Sequence, residues 1–264
     1  MSADRPKAET PGPRTAQAPA SPPALASVPV SVLGRRVPLF YDFAMSWRRA
    51  AVDKLAQAVD YVYQAAVEGD VAEFGTFSGL TAAALARSMR EVERFGGDWI
   101  RAHGLGERKL HLFDSFEGFP GVSAAADVES PSVAAGVWAE GQGKGRSEAE
   151  LVEICGAYLG RERVRTHAGW FRDSLARVEP GVRFALVHLD CDLYESTLDV
   201  LVDLFEHDRW SDGCTLLFDD WNCNRASPRF GERRAWAECV DRYRPSFTDC
   251  GGYGPLGWQF LLHR

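Results

Sequence analysis

The chain is short of several things, and each shortage removes a class of protein. No apolar run approaches the roughly 20 residues that a membrane-spanning helix needs, so no membrane partner is expected. Positive charge is in the minority: 30 Lys and Arg stand against 37 Asp and Glu, a net charge of -7. A nucleic-acid backbone calls for a basic face, so nucleic acid is not expected as a partner either. The six cysteines (Cys155, Cys191, Cys214, Cys223, Cys239 and Cys250) are scattered and form no C-x-x-C pair. Reduced thiols in a cytoplasmic protein fit that spacing better than a disulfide frame. The G-x-G-x-x-G fingerprint of dinucleotide sites is missing, as are internal repeats. No apolar stretch follows the start as a secretion signal would require.

What remains is ordinary globular composition: 264 residues, 45% hydrophobic and 25% charged. One α/β domain accounts for that length, and its expected bounds are residues 31–264. Residues 1–30 hold half of the 14 prolines, among alanine, serine and isolated charges. Too little apolar surface is present there to offset ordering entropy, so a disordered arm is expected. Leu39, Phe40, Tyr41 and Phe43 are too apolar for a free tail and should dock on the body.

The richest stretch is Arg183–Asn224. Phe184–Leu189 and Cys214–Phe218 are short apolar runs of the kind buried in a parallel sheet. Between them, Leu198, Leu201, Val202 and Phe205 recur at helical spacing, with Asp199, Asp203 and Glu206 on the other side. A strand–helix–strand unit of this length is a right-handed crossover between parallel strands. Were the two strands neighbours, roughly 5 Å apart, Asp190 and Asp192 would end beside Asp219 and Asp220. That edge is where α/β sheets bind ligands. Aspartates at strand ends also cap the helices that follow. Two pairs on adjacent ends are harder to explain so, because crowded carboxylates need a raised pKa or a cation. Mg²⁺, which takes oxygen ligands, is the expected occupant.

The rest of the chain supplies the remaining elements. Ser46–Glu68 reads as a helix, and Val71–Phe74 as a strand leading into Gly75-x-x-x-Gly79. Those glycines let backbone approach a ligand, with Gly79 opening the next helix. Glu91–Arg108 looks like a polar insertion. A strand at Lys109–Phe113 ends on Asp114, where a ribose would expect its hydroxyl acceptor; a cap or turn role suits Asp114 as well. Gly121–Arg146 has no period and the length of a lid or binding loop. Ser147-x-x-Glu150 is a capping box opening a helix to Leu159, and Arg163–His167 is another strand. His167 reads as a structural histidine. Trp170 and Phe171 suit either a core or the wall of a planar base. Arg225, Arg229, Arg233 and Arg234 lead into the helix Glu232–Tyr243, free either to grip an oxygen-rich substrate or to face solvent. Ser246–Cys250 and Gly257–Leu262 form a closing hairpin.

VAEFGTFSG, LFDSFEGFPG, AGWFRDSL, LDCDLYESTLDVL and Asp219-Asp220, in this order, resemble the TylF/MycF (macrocin O-methyltransferase) family. The resemblance covers roughly Ala50 to Tyr243. It implies a class I Rossmann-like methyltransferase fold: a mostly parallel seven-stranded sheet with one antiparallel strand near its edge and helices on both faces. S-adenosyl-L-methionine is the implied cofactor, with contacts at Glu73, Gly75, Thr76, Ser78, Asp114, Ser115, Gly169, Trp170 and Asp190. Mg²⁺ would be held by Asp190, Asp219 and Asp220, leaving Asp192 as the general base. The implied substrate is a sugar hydroxyl of a glycosylated natural product in antibiotic biosynthesis, and a homo-oligomer is expected. Thr76-Phe77-Ser78 replaces the Trp-Arg-Gly type usual in the family. Two other readings compete: a catechol or phenolic-diol O-methyltransferase, and a catalytically silent methyltransferase-like protein that acts by assembly.

Deleting residues 1–25 is expected to leave the thermal unfolding midpoint nearly unchanged, because a proline-rich arm buries little surface. A large fall in that midpoint by calorimetry would mean that the arm packs on the body or on a partner.

Overall fold

Short β-branched and apolar runs alternate with amphipathic stretches, and the two kinds of segment sort into a sheet and its covering helices. The computed structural model describes residues 46–264, preceded by two three-residue strands, β1 (Val30–Val32) and β2 (Arg35–Val37), paired antiparallel. The expectations of a disordered arm and of a docked stretch at Leu39–Phe43 fall outside the described residues.

Seven strands make the main sheet: β3 (Asp70–Phe74), β4 (Leu110–Asp114), β5 (Val164–Ala168), β6 (Phe184–Leu189), β7 (Trp210–Phe218), β8 (Ser246–Tyr253) and β9 (Gly257–His263). Their order is β5-β4-β3-β6-β7-β9-β8. Pairing is parallel from β5 through β7. β9 runs antiparallel to both its neighbours, as the one reversed strand near the edge. From β3 the chain builds outward to β4 and β5, then returns to build β6 and β7 on the other side. The order therefore reverses between β3 and β6, which opens a crevice at their carboxyl ends.

Nine helices are described: α1 (Ser46–Gln64), α2 (Leu80–Phe95), α3 (Gly97–Ala102), α4 (Ala125–Val128), α5 (Pro131–Ala134), α6 (Glu148–Leu159), α7 (Phe171–Leu175), α8 (Tyr194–Glu206) and α9 (Gly231–Tyr243). On one face Leu55, Val59, Leu85, Met89, Leu151 and Ile154 join Val71, Leu110 and Leu112 in a core cluster. On the other, Leu175, Leu201, Leu204 and Trp236 join Phe74, Phe113, Val187, Leu189 and Phe218. Each such fully buried aliphatic or aromatic side chain contributes about 1.5–3 kcal/mol. Alternation along the strands decides which cluster each residue enters: Leu112 faces the first and Phe113 the second.

Several boundaries differ from the sequence reading. The strand expected at Cys214 begins at Trp210, with a register shift opposite Phe184/Leu186. Its start is masked because buried Ser211, exposed Asp212 and half-buried Gly213 interrupt the apolar pattern before Cys214. The stretch 91–108 is not a plain insertion, because its first residues extend α2 and Gly97–Ala102 forms α3. The loop 121–146 holds two helical turns, α4 and α5. Both bonds of the capping box are present: Ser147 Oγ accepts from Glu150 N, and Glu150 accepts from Ser147 N.

Gly75 follows β3 at φ 86°, and a Cβ there would lie 2.0 Å from the backbone oxygen of Asp190. No side chain fits in that gap. Gly75→Ala is expected to cost about 2 kcal/mol or more of stability. Gly79→Ala, whose Cβ would come within 2.8 Å of the end of the Leu151 side chain but of no backbone atom, should cost less. Denaturant unfolding of both variants checks the ranking, and equal losses would contradict it.

Candidate active site

Parallel strands leave their last carbonyls and next amides at one edge, and here the ladder continues into the loops. Gly75 N donates to Phe113 O, Asp190 N to Phe74 O, and Asp219 N to Leu189 O, each at 2.9 Å. Gly169 N donates to Asp114 O at 3.0 Å. Four loop starts are thereby fixed in a row. Above them lies a cavity of about 990 Å³ whose lining includes Gly75, Thr76, Asp114, Ser115, Gly169 and Trp170. Asp190, Asp192, Asp219 and Asp220 line it too.

The carboxylates gather as the strand pairing requires, because Leu189 and Phe218 are register partners. One oxygen from each of Asp190, Asp192 and Asp220 lies within 4.8 Å of the others. Burial and the charges of Asp219 and Asp220 push the Asp190 carboxyl well above the usual range. Burial and the charges of Asp220 and Asp190 do the same to Asp192. Asp220 is raised by burial and by Asp219. Asp192 also sits at φ 59°, a left-handed conformation that costs a non-glycine residue on the order of 1–2 kcal/mol.

Asp219 is placed differently from the ligand set that the resemblance implies. It stands outside the close triad, where Asp192 takes the third position. Its Oδ1 accepts from the Tyr253 hydroxyl at 3.5 Å and lies 3.9 Å from His188 Nε2. Glu73 is a second difference: fully buried, it meets His188 Nδ1 on the neighbouring strand at 3.0 Å through Oε1. Neither Glu73 nor Ser78 lines the cavity; Phe77, 43% exposed, does so in the glycine turn.

Asp114 joins its own turn to the glycine turn. Its Oδ2 accepts from Thr76 N and Thr76 Oγ1, both at 2.8 Å, and its Oδ1 from Phe116 N at 2.8 Å. Its bond to Phe116 N is a local turn cap, its two bonds to Thr76 tie the end of β4 to the glycine turn, and the residue borders the cavity. Trp170 is 40% exposed on the cavity wall rather than in the core, while Phe171 packs edge-on against Phe74. His167 bonds His111 at 3.0 Å, a structural arrangement.

Arg225, Arg229, Arg233 and Arg234 do not line the cavity. Arg233 donates to Trp221 O and Asn222 Oδ1 and lies over the Trp221 ring. Arg229 pairs with Glu129 at 3.4 Å. Three residues escaped the sequence reading because only burial reveals them. Glu232 accepts from Asp220 N at 3.0 Å. Tyr253 donates to Phe218 O at 2.9 Å. Asp127, in the lid, accepts from Tyr194 N and Glu195 N at 2.7 and 3.0 Å. The absence of a side-chain cap at Leu193 was the one available signal for Asp127.

The model of the macrocin-O-methyltransferase (TylF) family matches residues 33–242. The chain belongs to that family. A 4'-O-methyltransferase of 8-demethyl-8-(2,3-dimethoxy-alpha-L-rhamnosyl)-tetracenomycin-C from Streptomyces olivaceus is 32% identical over 194 residues, spanning 72% of this chain and 66% of that protein. Demethyldecarbamoylnovobiocin O-methyltransferase from Streptomyces niveus is 30% identical over 192 residues, spanning 72% and 67%. The chain thus spans about two thirds of these relatives' length, slightly less for the first. Among solved structures, the O-methyltransferase NovP superposes with a TM-score of 0.63 at 26% identity, covering 88% of this chain and 86% of that one. The TylF-family fold is therefore the fold described above, a Rossmann-like methyltransferase sheet. Among the described residues no helix is long and apolar enough to cross a membrane.

Raised carboxyl pKa values have a consequence for stability. Unfolded aspartates titrate near about 4, so above that pH the native chain binds more protons than the unfolded one. Stability then falls as pH rises through the raised values. Thermal unfolding in EDTA, followed upward from about pH 4, should show this cluster's contribution as a decline that Asp192→Asn flattens. A wild-type and variant profile of identical slope would contradict the assignment.

Proposed function

We propose that this TylF-family chain is an S-adenosylmethionine-dependent, Mg²⁺-dependent O-methyltransferase acting on a sugar hydroxyl of a glycosylated natural product. The observation that carries the reading is the convergence of Asp190, Asp192 and Asp220 within 4.8 Å, in the same cavity as the Gly75 turn. The tetracenomycin relative, by its name, methylates the 4' oxygen of a rhamnosyl-bearing compound.

The donor set fits a hard divalent cation. It offers carboxylate oxygens only, and Asp220 Oδ2 is buried without a hydrogen-bond partner among the described residues. Asp190 and Asp220 would hold Mg²⁺, with Asp219 as the third carboxylate on the adjoining backbone. When bound there, the ion would lower the pKa of a coordinated hydroxyl. Asp192 then serves as the proton acceptor, since a base must stand within hydrogen-bond reach of the oxygen it deprotonates. Its place in the triad meets that need as well as ligation would.

S-adenosylmethionine would supply the methyl group as a sulfonium with its own leaving group. Gly75, Thr76, Asp114, Ser115, Gly169 and Trp170 would hold it, while Glu73 and Ser78 stand away from the cavity. The chain's main task is then orientation, which can contribute several kcal/mol to a bimolecular transfer. Phe77, Val137, Trp138 and Trp170 give the remaining wall an apolar character suited to an aglycone.

Methyl transfer assayed over glycosylated natural products and over aromatic diols tests the acceptor class. Turnover on the glycosides that stops in EDTA and returns with Mg²⁺ is the expected result; turnover on the diols alone would favour a phenolic acceptor. Asp190→Asn and Asp220→Asn should weaken Mg²⁺ binding and leave cofactor affinity nearly intact. Asp192→Asn should retain the metal and lose about 10²–10⁴-fold in kcat, the usual share of a general base. Should Asp192→Asn lose the metal while Asp219→Asn keeps it, their two roles are exchanged.

A further inference from the structure

The carboxylate triad is carried by two separate loops, one after β6 and one after β7. The first turn of α9 touches both. Gly231, at φ 53°, lies so near the first loop that a Cβ would be 3.3 Å from the Asp192 carbonyl oxygen. Glu232, 1% exposed, accepts from Asp220 N on the second loop at 3.0 Å. Arg233 donates to Trp221 O at 2.8 Å and to Asn222 Oδ1 at 2.6 Å. Three consecutive residues thus hold three successive parts of the site from behind.

An acidic residue in the first turn ordinarily serves its own helix. Glu232 does not, because its bonded oxygen is committed to an amide twelve residues earlier. Nor does it line the cavity, so contact with an acceptor is not its task. Its Oε1 is buried with no hydrogen-bond partner among the described residues. A carboxyl is kept in an unfavourable place for the sake of one bond.

We propose that Glu232 is a positioning residue, whose hydrogen bond to the Asp220 amide sets the separation between Asp220 and the Asp190–Asp192 loop that a divalent cation requires. The assignment rests on the metal-dependent reading above. Its active feature is the reach of an acceptor oxygen, not a negative charge. Glu232→Gln preserves that oxygen at full reach and removes the charge. Glu232→Asp preserves the charge and withdraws the oxygen by one methylene.

The test is Mn²⁺ titration of the full chain, followed by electron paramagnetic resonance, with S-adenosylmethionine calorimetry as the control. Glu232→Gln should bind Mn²⁺ within about threefold of wild type, and Glu232→Asp about 10–100-fold more weakly, as for other outer partners of metal ligands. Cofactor affinity should stay within about twofold in both, since Glu232 acts only on the loop that carries the metal ligands. Wild-type-like Mn²⁺ binding in both variants, weakening in both, or weakening in Glu232→Gln alone each overturns the positioning role. A wild-type chain that binds S-adenosylmethionine and no Mn²⁺ would instead sink the metal reading, and this assignment with it.

Discussion

Like charges brought together at a sheet edge are the constraint around which this molecule is arranged. Asp190, Asp192, Asp219 and Asp220 are adjacent because β6 and β7 are parallel neighbours in register at Leu189 and Phe218. Nothing in the pairing of two strands can relieve the repulsion that follows. The relief must come from protonation, from a cation, or from counter-charge nearby. Much of the surrounding structure can be understood as supplying the scaffold on which one of these operates.

Counter-charge is built into the sheet itself. Glu73 and His188 are register partners on β3 and β6, and their side chains meet at 3.0 Å with no exposure to solvent. Burial opposes charge on His188, yet the carboxylates of Asp219 and Glu73 outweigh it and hold its pKa well above the ordinary value. A buried ion pair is weak evidence for stability, since desolvation consumes the Coulombic gain. Here the imidazole Nε2 lies 3.9 Å from Asp219. That contact and the one from the Tyr253 hydroxyl both fall on Asp219 Oδ1, while the close triad contains Asp192.

Most of the fold was legible because parallel strands buried on both faces read as continuous apolar runs, and the helices between them as stripes. The crossover from Phe184 to Phe218 and the glycine turn at Gly75 carried their own signals. The aspartate pairs were legible for the same reason, as polar residues at the ends of apolar runs. What escaped were the orientations. Asp219 and Asp220 are adjacent in sequence and differ in direction, and only the neighbours on β6 and β8, His188 and Tyr253, decide which turns where. Glu73, which the resemblance implies as a cofactor contact, is instead buried against His188 on the neighbouring strand. Glu232 and Asp127 bind across long sequence separations, and no local pattern encodes such pairs.

Asp127 shows how the two halves of the cavity are joined. The lid segment contributes this residue, 1% exposed, as the cap of α8. Leu193, at the head of that helix, has no side chain to cap it, and the residue before Leu193 is the strained Asp192. A second tie runs from Ser132 N to Asn224 Oδ1 at 2.9 Å, beside the turn that follows Asp220. Two nearby points of this segment are therefore tied, Asp127 to the start of α8 after Asp192 and Ser132 to the turn after Asp220. The segment that borders the cavity and the two loops that carry the carboxylates are thus joined by bonds between side chains and backbone amides, so their positions are set together.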